Sequence, residues 1–153
     1  MAGPYLNTGP FKTRITDTHA IGPQEELGVL RFEAGKILRY VKFGELIPAG
    51  ESVRLDFSVT TAALMGAQVL QTSAATDMFM GISEVTGPLL NFGWVTIYGP
   101  ATGRVNLDAA GSGLGPSGNT GVLSIRNTSH FNAVAIAMQT GLSAGSAVFI
   151  SQL

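Results

Sequence analysis

Short apolar runs divided by turn residues constrain the fold of this chain more than any other feature of its sequence. The clearest run is Ser52–Thr60, where apolar side chains alternate strictly with polar ones, as in a half-buried strand. Similar runs follow, each bounded by Gly, Ser, Asn or Pro: Gln68–Thr72, Phe79–Val85, Phe92–Tyr98, Gly103–Leu107, Gly121–Arg126, Ala133–Gln139 and Ala147–Gln152. These runs predict an all-β fold, namely an antiparallel β-sandwich or barrel of the jelly-roll-like kind.

The segment 27–41 fits two secondary structures. Its apolar residues fall near helical spacing, but Gly28 and Gly35 each cost a helix interior about 1 kcal/mol relative to Ala. Gly35 instead suits a hairpin turn between two strands, Gly28–Phe32 and Ile37–Phe43. We therefore favour the hairpin and keep the helix as the alternative.

The N-terminal residues show neither a helical nor a strand period. Residues 1–24 carry three prolines and several glycines, which predicts an extended N-terminal arm ahead of a single β-rich domain, residues 25–153. A disordered tail is the alternative for this stretch. Its apolar residues favour an arm that docks on another surface; they are Tyr5, Leu6, Phe11, Ile15 and Ile21.

Charge is scarce and unevenly placed. Only 12% of the residues are charged, against about 25% in a typical domain, and thirteen of the nineteen charges lie in residues 1–54. The nearly neutral remainder indicates a surface that contacts another subunit. Nine Lys and Arg residues balanced by ten Asp and Glu do not favour nucleic-acid binding. There is neither a signal-peptide pattern nor an apolar run of membrane-spanning length, so we expect a soluble chain without a membrane partner.

Motifs with catalytic or ligand-binding precedent lack their required context. Gly141–Gly145 matches G-x-S-x-G, but no Asp, Glu or His follows Ser143, so a turn between two strands is favoured. Gly113–Gly118 matches G-x-G-x-x-G, yet no helix pattern follows it, which favours a flexible loop. His19 and His130 are the only histidines and there is no cysteine. We therefore expect no enzyme, no cofactor and no metal site.

Two of the strand-like runs, Phe92–Tyr98 and Ile37–Phe43, carry aromatic or basic side chains that could form an interface. In the run that contains Trp94, the side chains of Phe92, Thr96 and Tyr98 share the Trp94 face, which predicts a core strand or an interface strand. In the other run, Arg39 falls on the face opposite the two lysines beside it, which splits a small basic patch.

Four segments resemble a known family. Gly35–Phe43 is similar to the "G-x-x-x-R-Y-V-K" strand of small phage capsid decoration (cement) proteins. Thr72–Asp77, Met80–Ile82 and Phe92–Val95 are similar to that family's "A-T-D…G-V-A…Y-G-W-V" passage. The match covers roughly residues 27–125, and the chain departs from it at Phe92, where Tyr is common, and in its long N-terminal arm.

The resemblance implies a structural virion protein on the outer surface of an icosahedral phage capsid. Such a protein stabilises the shell by binding the major capsid protein and itself, here as a homotrimer made in the host cytoplasm without a signal peptide. We assign the capsid or subunit interface to nine residues: Tyr5, Leu6, Phe11, Ile15, Arg39, Tyr40, Phe92, Trp94 and Tyr98.

Two other functions are weighed beside this one. A carbohydrate- or receptor-binding β-module of a phage tail or spike would need exposed aromatic rings with amides beside a groove. The residues available for such a groove are Trp94, Tyr98, Asn91 and Asn106. A small hydrolase is the weaker alternative, because no nucleophile, base and acid occur in a workable order.

Overall fold

A computed structural model describes residues 11–106, 110–125, 133–138 and 143–151. Within these residues the chain is all-β, as predicted, apart from a single 3-10 turn at Ala62–Leu64. Ten strands are described: β1 Leu30–Glu33, β2 Lys36–Phe43, β3 Glu51–Leu55, β4 Gln68–Gln71, β5 Phe79–Ser83, β6 Phe92–Asn106, β7 Gly113–Pro116, β8 Leu123–Ile125, β9 Ala135–Ala137 and β10 Ser143–Ile150.

The strands form one mixed sheet that closes on itself twice. The first ring runs β2-β4-β3-β5-β6 and returns to β2, while the second runs β6-β10-β9-β7-β8 and returns to β6. β1 pairs with the first half of β2, Lys36–Arg39, whereas β4 pairs with Lys42 and Phe43 at its end. The predicted antiparallel pairing holds for most ladders, but β2–β4 and β6–β8 are parallel.

The long strand β6 belongs to both rings. The sequence predicts two strands here, Phe92–Tyr98 and Gly103–Leu107, with a loop between them, and this expectation is wrong. Gly99 has a φ of +95°, and a Cβ at this position would lie 2.4 Å from the carbonyl oxygen of Gly35. A glycine therefore lets the strand pass close to the β1–β2 turn without interrupting its pairing.

The β1–β2 hairpin confirms the favoured interpretation of segment 27–41. Glu33 pairs with Lys36 across a two-residue turn. Ala34 and Gly35 occupy that turn with φ values of +52° and +76°, as a hairpin turn that matches the strand twist requires. The helix alternative is wrong because two glycines weaken it and the apolar residues serve two sheet faces instead.

The strand predicted at Ser52–Thr60 is shorter than its alternation suggests. β3 ends at Leu55, and Phe57 is exposed rather than buried. The Asp56 carboxylate accepts hydrogen bonds from the backbone N–H and the hydroxyl of Ser58. This local bonding bends the chain out of the sheet where the polar-apolar alternation alone would continue it.

Three buried clusters hold the fold together. The first ring encloses Val41, Phe43, Ile47, Val53, Val69 and Val95. The second cluster has ten residues, of which Phe79 and Ile82 lie on β5 and the other eight on strands of the second ring; these eight are Ala101, Val105, Leu114, Leu123, Ala135, Ala137, Val148 and Ile150. The third, which we call the aromatic cluster, consists of Leu38, Tyr40, Phe92 and Trp94.

The aromatic cluster lies on the outer face of the β2–β6 ladder. Residues 11–29, here called the N-terminal segment, cover it with the side chains of Phe11, Ile15, Leu27 and Val29. A sheet face that carries large apolar side chains needs such a cover, since the inner face already packs on the ring core. Both faces of β2 are buried or half-buried, and both faces of β6 are buried from Phe92 to Thr96, as the pattern around Trp94 predicts. From Pro100 onward, every second residue of β6 is exposed.

Candidate interaction surfaces

Trp94 lies at the centre of the aromatic cluster and is only 1% exposed. Its ring meets the rings of Tyr40 and Phe11 edge-on, each with centroids 5.1 Å apart. The indole N–H donates a hydrogen bond of 2.9 Å to Oγ1 of Thr13. Trp94 therefore binds the N-terminal segment by both apolar contact and a buried polar contact.

Polar contacts tie the N-terminal segment to the sheet. The Arg31 guanidinium lies 5.0 Å from the centre of the Phe11 ring and donates a 2.7 Å hydrogen bond to the carbonyl oxygen of Thr13. Thr13 in turn donates from its N–H and its hydroxyl to Glu25 Oε1, at 2.8 and 3.0 Å. These bonds fix the segment on its own domain.

The Tyr40 phenol is buried from solvent in the aromatic cluster. The backbone N–H of Gln24 donates to the Tyr40 hydroxyl at 3.2 Å. Burial raises the pKa of the Tyr40 phenol, and the nearby Glu25 carboxylate raises it further, although the hydrogen bond from Gln24 works in the opposite direction. The phenol therefore stays neutral under ordinary conditions and acts as a structural group of the cluster.

The structure brings together five of the nine residues assigned to an interface, namely Phe11, Ile15, Tyr40, Phe92 and Trp94. All five contribute to the aromatic cluster or its cover within the one chain. Their role in a capsid or subunit contact stays a prediction.

The remaining assigned residues lie apart from this cluster. Arg39 faces the opposite side of β2, where its Nε is buried without a hydrogen-bond partner. Tyr98 packs edge-on against Phe149 of β10, with ring centroids 5.5 Å apart. Tyr5 and Leu6 lie outside the described residues.

The residues weighed for a carbohydrate site do not line one groove. Trp94 has no ring face open to a sugar, because the N-terminal segment covers it. Asn91 immediately precedes β6 and Asn106 ends it. A strand rises about 3.3 Å per residue, so these two amides lie roughly 50 Å apart along the chain.

Parts of both glycine motifs lie in strands of the described residues. Gly113–Pro116, predicted as part of a flexible loop, forms β7, so that expectation is wrong. Ser143 opens β10, whereas Gly141 and Leu142 lie outside the described residues. Across the part of the chain that the structure describes, three or more His, Cys, Asp or Glu side chains nowhere cluster as metal ligands would. No helix within that part is long and apolar enough to span a membrane.

Glu84 is the carboxylate with the most contacts to other elements. It accepts from Lys36 Nζ at 2.6 Å, from the Thr96 hydroxyl at 2.8 Å and from the Thr102 backbone N–H at 3.0 Å. These donors come from β2 and from both halves of β6. A carboxylate with three donors serves the packing of these strands and is poorly placed to act as a free base.

Four exposed aliphatic side chains lie on three loop segments that backbone pairing brings together, a grouping that the sequence does not reveal. This aliphatic patch consists of Ile21, Leu46, Leu89 and Leu90, which are 90%, 58%, 55% and 57% exposed. Backbone bonds hold its three segments together: His19 pairs with Phe92, Ile47 pairs with Gly87, and the Leu90 N–H donates to the Phe43 carbonyl at 2.9 Å.

Leu90 adds backbone strain to the aliphatic patch. Its φ is +66°, a conformation that a bulky side chain rarely adopts. The turn Pro88–Asn91 holds it there through a 3.0 Å hydrogen bond from the Asn91 N–H to the Pro88 carbonyl. Strain of this kind is often stored at functional positions, because a stable scaffold offsets it. A leucine pair beside a proline in the sequence carries no signal that distinguishes exposure from burial.

A comparison with protein-family models finds no matching family, and a comparison with curated proteins finds no matching relative. We therefore infer function from the sequence resemblance, the fold and the exposed surfaces.

Proposed function

We propose that this chain is a structural virion protein that binds the outer surface of an icosahedral phage capsid and stabilises the shell as a homotrimer. Its partners in this proposal are the major capsid protein and other copies of itself. The four segments that resemble capsid decoration proteins are the basis of the proposal.

The fold brings two of those four segments together. Gly35–Phe43 contains β2, and Phe92–Val95 opens β6. β2 pairs with the first part of β6, Phe92–Tyr98, with Tyr40 directly opposite Trp94. Two segments far apart in sequence thus meet in one ladder, which supports treating the resemblance as one three-dimensional pattern rather than as unconnected matches.

The aliphatic patch is the single observation that carries the docking role. Full burial of a leucine or isoleucine side chain stabilises a complex by about 1.5–3 kcal/mol, so four neighbouring side chains supply a substantial apolar contact. Contiguous exposed apolar side chains on a folded domain are typical of interaction sites. We assign this patch to the contact with the capsid shell.

Low charge suits this role. Between residues 55 and 153 only six side chains are charged. Interface centres are depleted of charge because each charged group must give up its hydration on binding. Repetition of one modest contact over a symmetric lattice then raises the total free energy of binding without a large interface on each copy.

Co-sedimentation with empty shells of the cognate phage tests the proposal. We expect the natural chain to sediment with the shells, and a Leu89→Ser, Leu90→Asn double variant to bind at least about tenfold more weakly. Asn is chosen at position 90 because it tolerates a positive φ.

Phe57→Ser is the matched control. Phe57 is 70% exposed but follows β3, whereas Leu46 of the aliphatic patch precedes that strand. The control should bind like the natural chain. The docking surface is wrong if the double variant binds equally well, and the capsid role is wrong if the natural chain ignores the shells.

A further inference from the structure

β1 differs from every other strand in the described residues. Each of the others has neighbours on both sides through the closure of the two rings, whereas β1 pairs with β2 alone. One edge of β1 is therefore open. An open edge is a template for pairing with another strand.

The hairpin turn determines which backbone groups face that edge. Glu33 and Lys36 flank the two-residue turn and therefore form a hydrogen-bonded pair. Hydrogen-bonded pairs alternate in an antiparallel ladder, so Arg31 also directs its N–H and C=O groups to β2. Leu30 and Phe32 direct theirs to the open edge, where none of the described residues hydrogen-bonds to them.

The side chains of β1 do not protect its edge. Leu30 and Phe32 share one face and are 43% and 73% exposed. Of the devices that guard natural edge strands, Leu30–Glu33 has a short length of four residues and two charged side chains, but no lysine, proline or bulge. The two charges of β1, Arg31 and Glu33, form an ion pair with each other on the opposite face.

We propose that β1 pairs with β1 of a second copy of this chain, antiparallel about a two-fold axis. The charge pattern selects the register. With Phe32 opposite the partner's Phe32, each Arg31 faces the partner's Glu33, and both charge pairs are complementary. The register centred on Arg31 places two guanidinium groups opposite each other, which is unfavourable.

This pairing joins the two β1–β2 hairpins into one continuous sheet. It buries both Phe32 rings against each other and satisfies backbone groups that have no hydrogen-bond partner among the described residues. Because the contact is isologous, every interaction away from the two-fold axis occurs twice. The contact goes beyond the proposed function and does not depend on it, since it concerns copies of this chain without a capsid.

Sedimentation equilibrium of the full chain tests the contact. We expect a reversible doubling of the molecular mass at protein concentrations up to about 100 µM. The Phe32→Lys variant should have a dissociation constant at least about tenfold higher than that of the natural chain. Phe57→Lys is the control, because Phe57 is exposed to a similar degree but lies outside the edge strand. A monomeric natural chain, or association that Phe32→Lys leaves unchanged, would overturn the proposal.

A charge exchange tests the register. Glu33→Arg alone and Arg31→Glu alone each place like charges opposite each other, so each variant should associate weakly with itself. Mixed in equal amounts, the two variants should form a heterodimer, since both cross-strand pairs are then complementary. Circular dichroism of each variant verifies the fold, because Arg31 also contacts Thr13. A mixture that associates no better than its components overturns the register.

Amide hydrogen exchange separates strand pairing from other contacts. The Leu30 and Phe32 amides should exchange more slowly as protein concentration rises, and Phe32→Lys should abolish this dependence. If removal of residues 1–10 is needed before the concentration dependence appears, those residues cover the edge and the second copy is the wrong occupant. The β1 contact can be distinguished from the homotrimer of the proposed function. Phe32→Lys would leave each trimer intact and remove only the β1 contacts between one trimer and the next.

Discussion

Among single residues, Asp56 shows how one side chain ends a strand. Its carboxylate accepts the Ser58 N–H and hydroxyl on one oxygen, at 2.9 and 2.6 Å, and the Gln68 amide on the other, at 2.8 Å. The Ser58 hydroxyl makes the largest contribution to lowering the pKa of Asp56, despite the opposing effect of burial. The folded state therefore favours the ionised form.

The sign of the resulting pH effect follows directly. A carboxylate whose pKa is lower in the folded state stabilises the fold above its unfolded pKa, near 4, and this stabilisation is lost as the pH falls through the folded pKa. We expect Asp56→Asn to lower the free energy of unfolding at pH 7 by about 1 kcal/mol, so that the variant unfolds at a lower urea concentration. On acidification the variant should lose less stability than the natural chain.

Urea unfolding between pH 7 and pH 2 measures this difference. The control is Glu26→Gln, which removes an exposed carboxylate and should leave the acid dependence as it is. An Asp56→Asn variant with the same acid dependence as the natural chain would show that the Asp56 carboxylate plays no part in the pH effect.

Among elements, β6 decides the architecture. Its first half pairs with β2 and β5, and its second half pairs with β10 and β8. The strand changes from one ring to the next at Gly99. From the sequence, Gly99 and Pro100 predict an interruption of the strand, because Gly and Pro are the residues that most often interrupt strands. Only long-range pairing on both sides keeps the strand continuous.

Gly99→Ala should therefore destabilise the whole fold. The added Cβ meets backbone rather than a movable side chain, and the positive φ is unfavourable for alanine. We expect a loss of about 2 kcal/mol or more in the free energy of unfolding, measured by urea titration.

Gly118→Ala is the control for Gly99→Ala. A Cβ at position 118 would have no atom within 4 Å, and the φ of Gly118 is not in the positive range that disfavours alanine. This variant should stay within about 0.5 kcal/mol of the natural chain. Equal stability of the two variants would contradict the role of Gly99 in strand continuity.

In the whole molecule, the N-terminal segment acts as part of the domain. Phe11, Thr13 and Ile15 cover Trp94 with both apolar and hydrogen-bonded contacts. The expected reach of residues 1–24 over a neighbouring subunit stays a prediction. Residues 11–24 already have a described role on their own sheet.

Two truncations separate these roles. Deletion of residues 1–24 should expose Trp94, shift its fluorescence to longer wavelength and lower Tm by several degrees, on the order of 2–4 °C for each kcal/mol lost. Deletion of residues 1–10 should preserve the emission, because the described contacts of Trp94 with the N-terminal segment begin at Phe11. Trp94 is the single tryptophan, so the signal reports this site alone. If the emission is unchanged after deletion of residues 1–24, the N-terminal segment does not shield Trp94 from water.

Features encoded by neighbouring residues were predictable. The hairpin at Ala34–Gly35 follows from local turn chemistry, and the burial of both faces at the start of β6, Phe92–Thr96, follows from its apolar and aromatic pattern. The aliphatic patch was not predictable, because Leu89 and Leu90 resemble core leucines until the position of their loop is known. Likewise, the pattern around Trp94 could not distinguish an intramolecular cover from a partner.

The sequence by itself determined the all-β class, most strand positions and the scarcity of charge, since side-chain period and turn residues act over a few positions. The tertiary structure alone decided that one long strand joins two rings, that Trp94 is covered by its own N-terminal segment, and that β1 keeps an open edge. These features depend on pairing between segments far apart in the chain. Such pairing is selected by the packing of the whole molecule, which no local pattern contains.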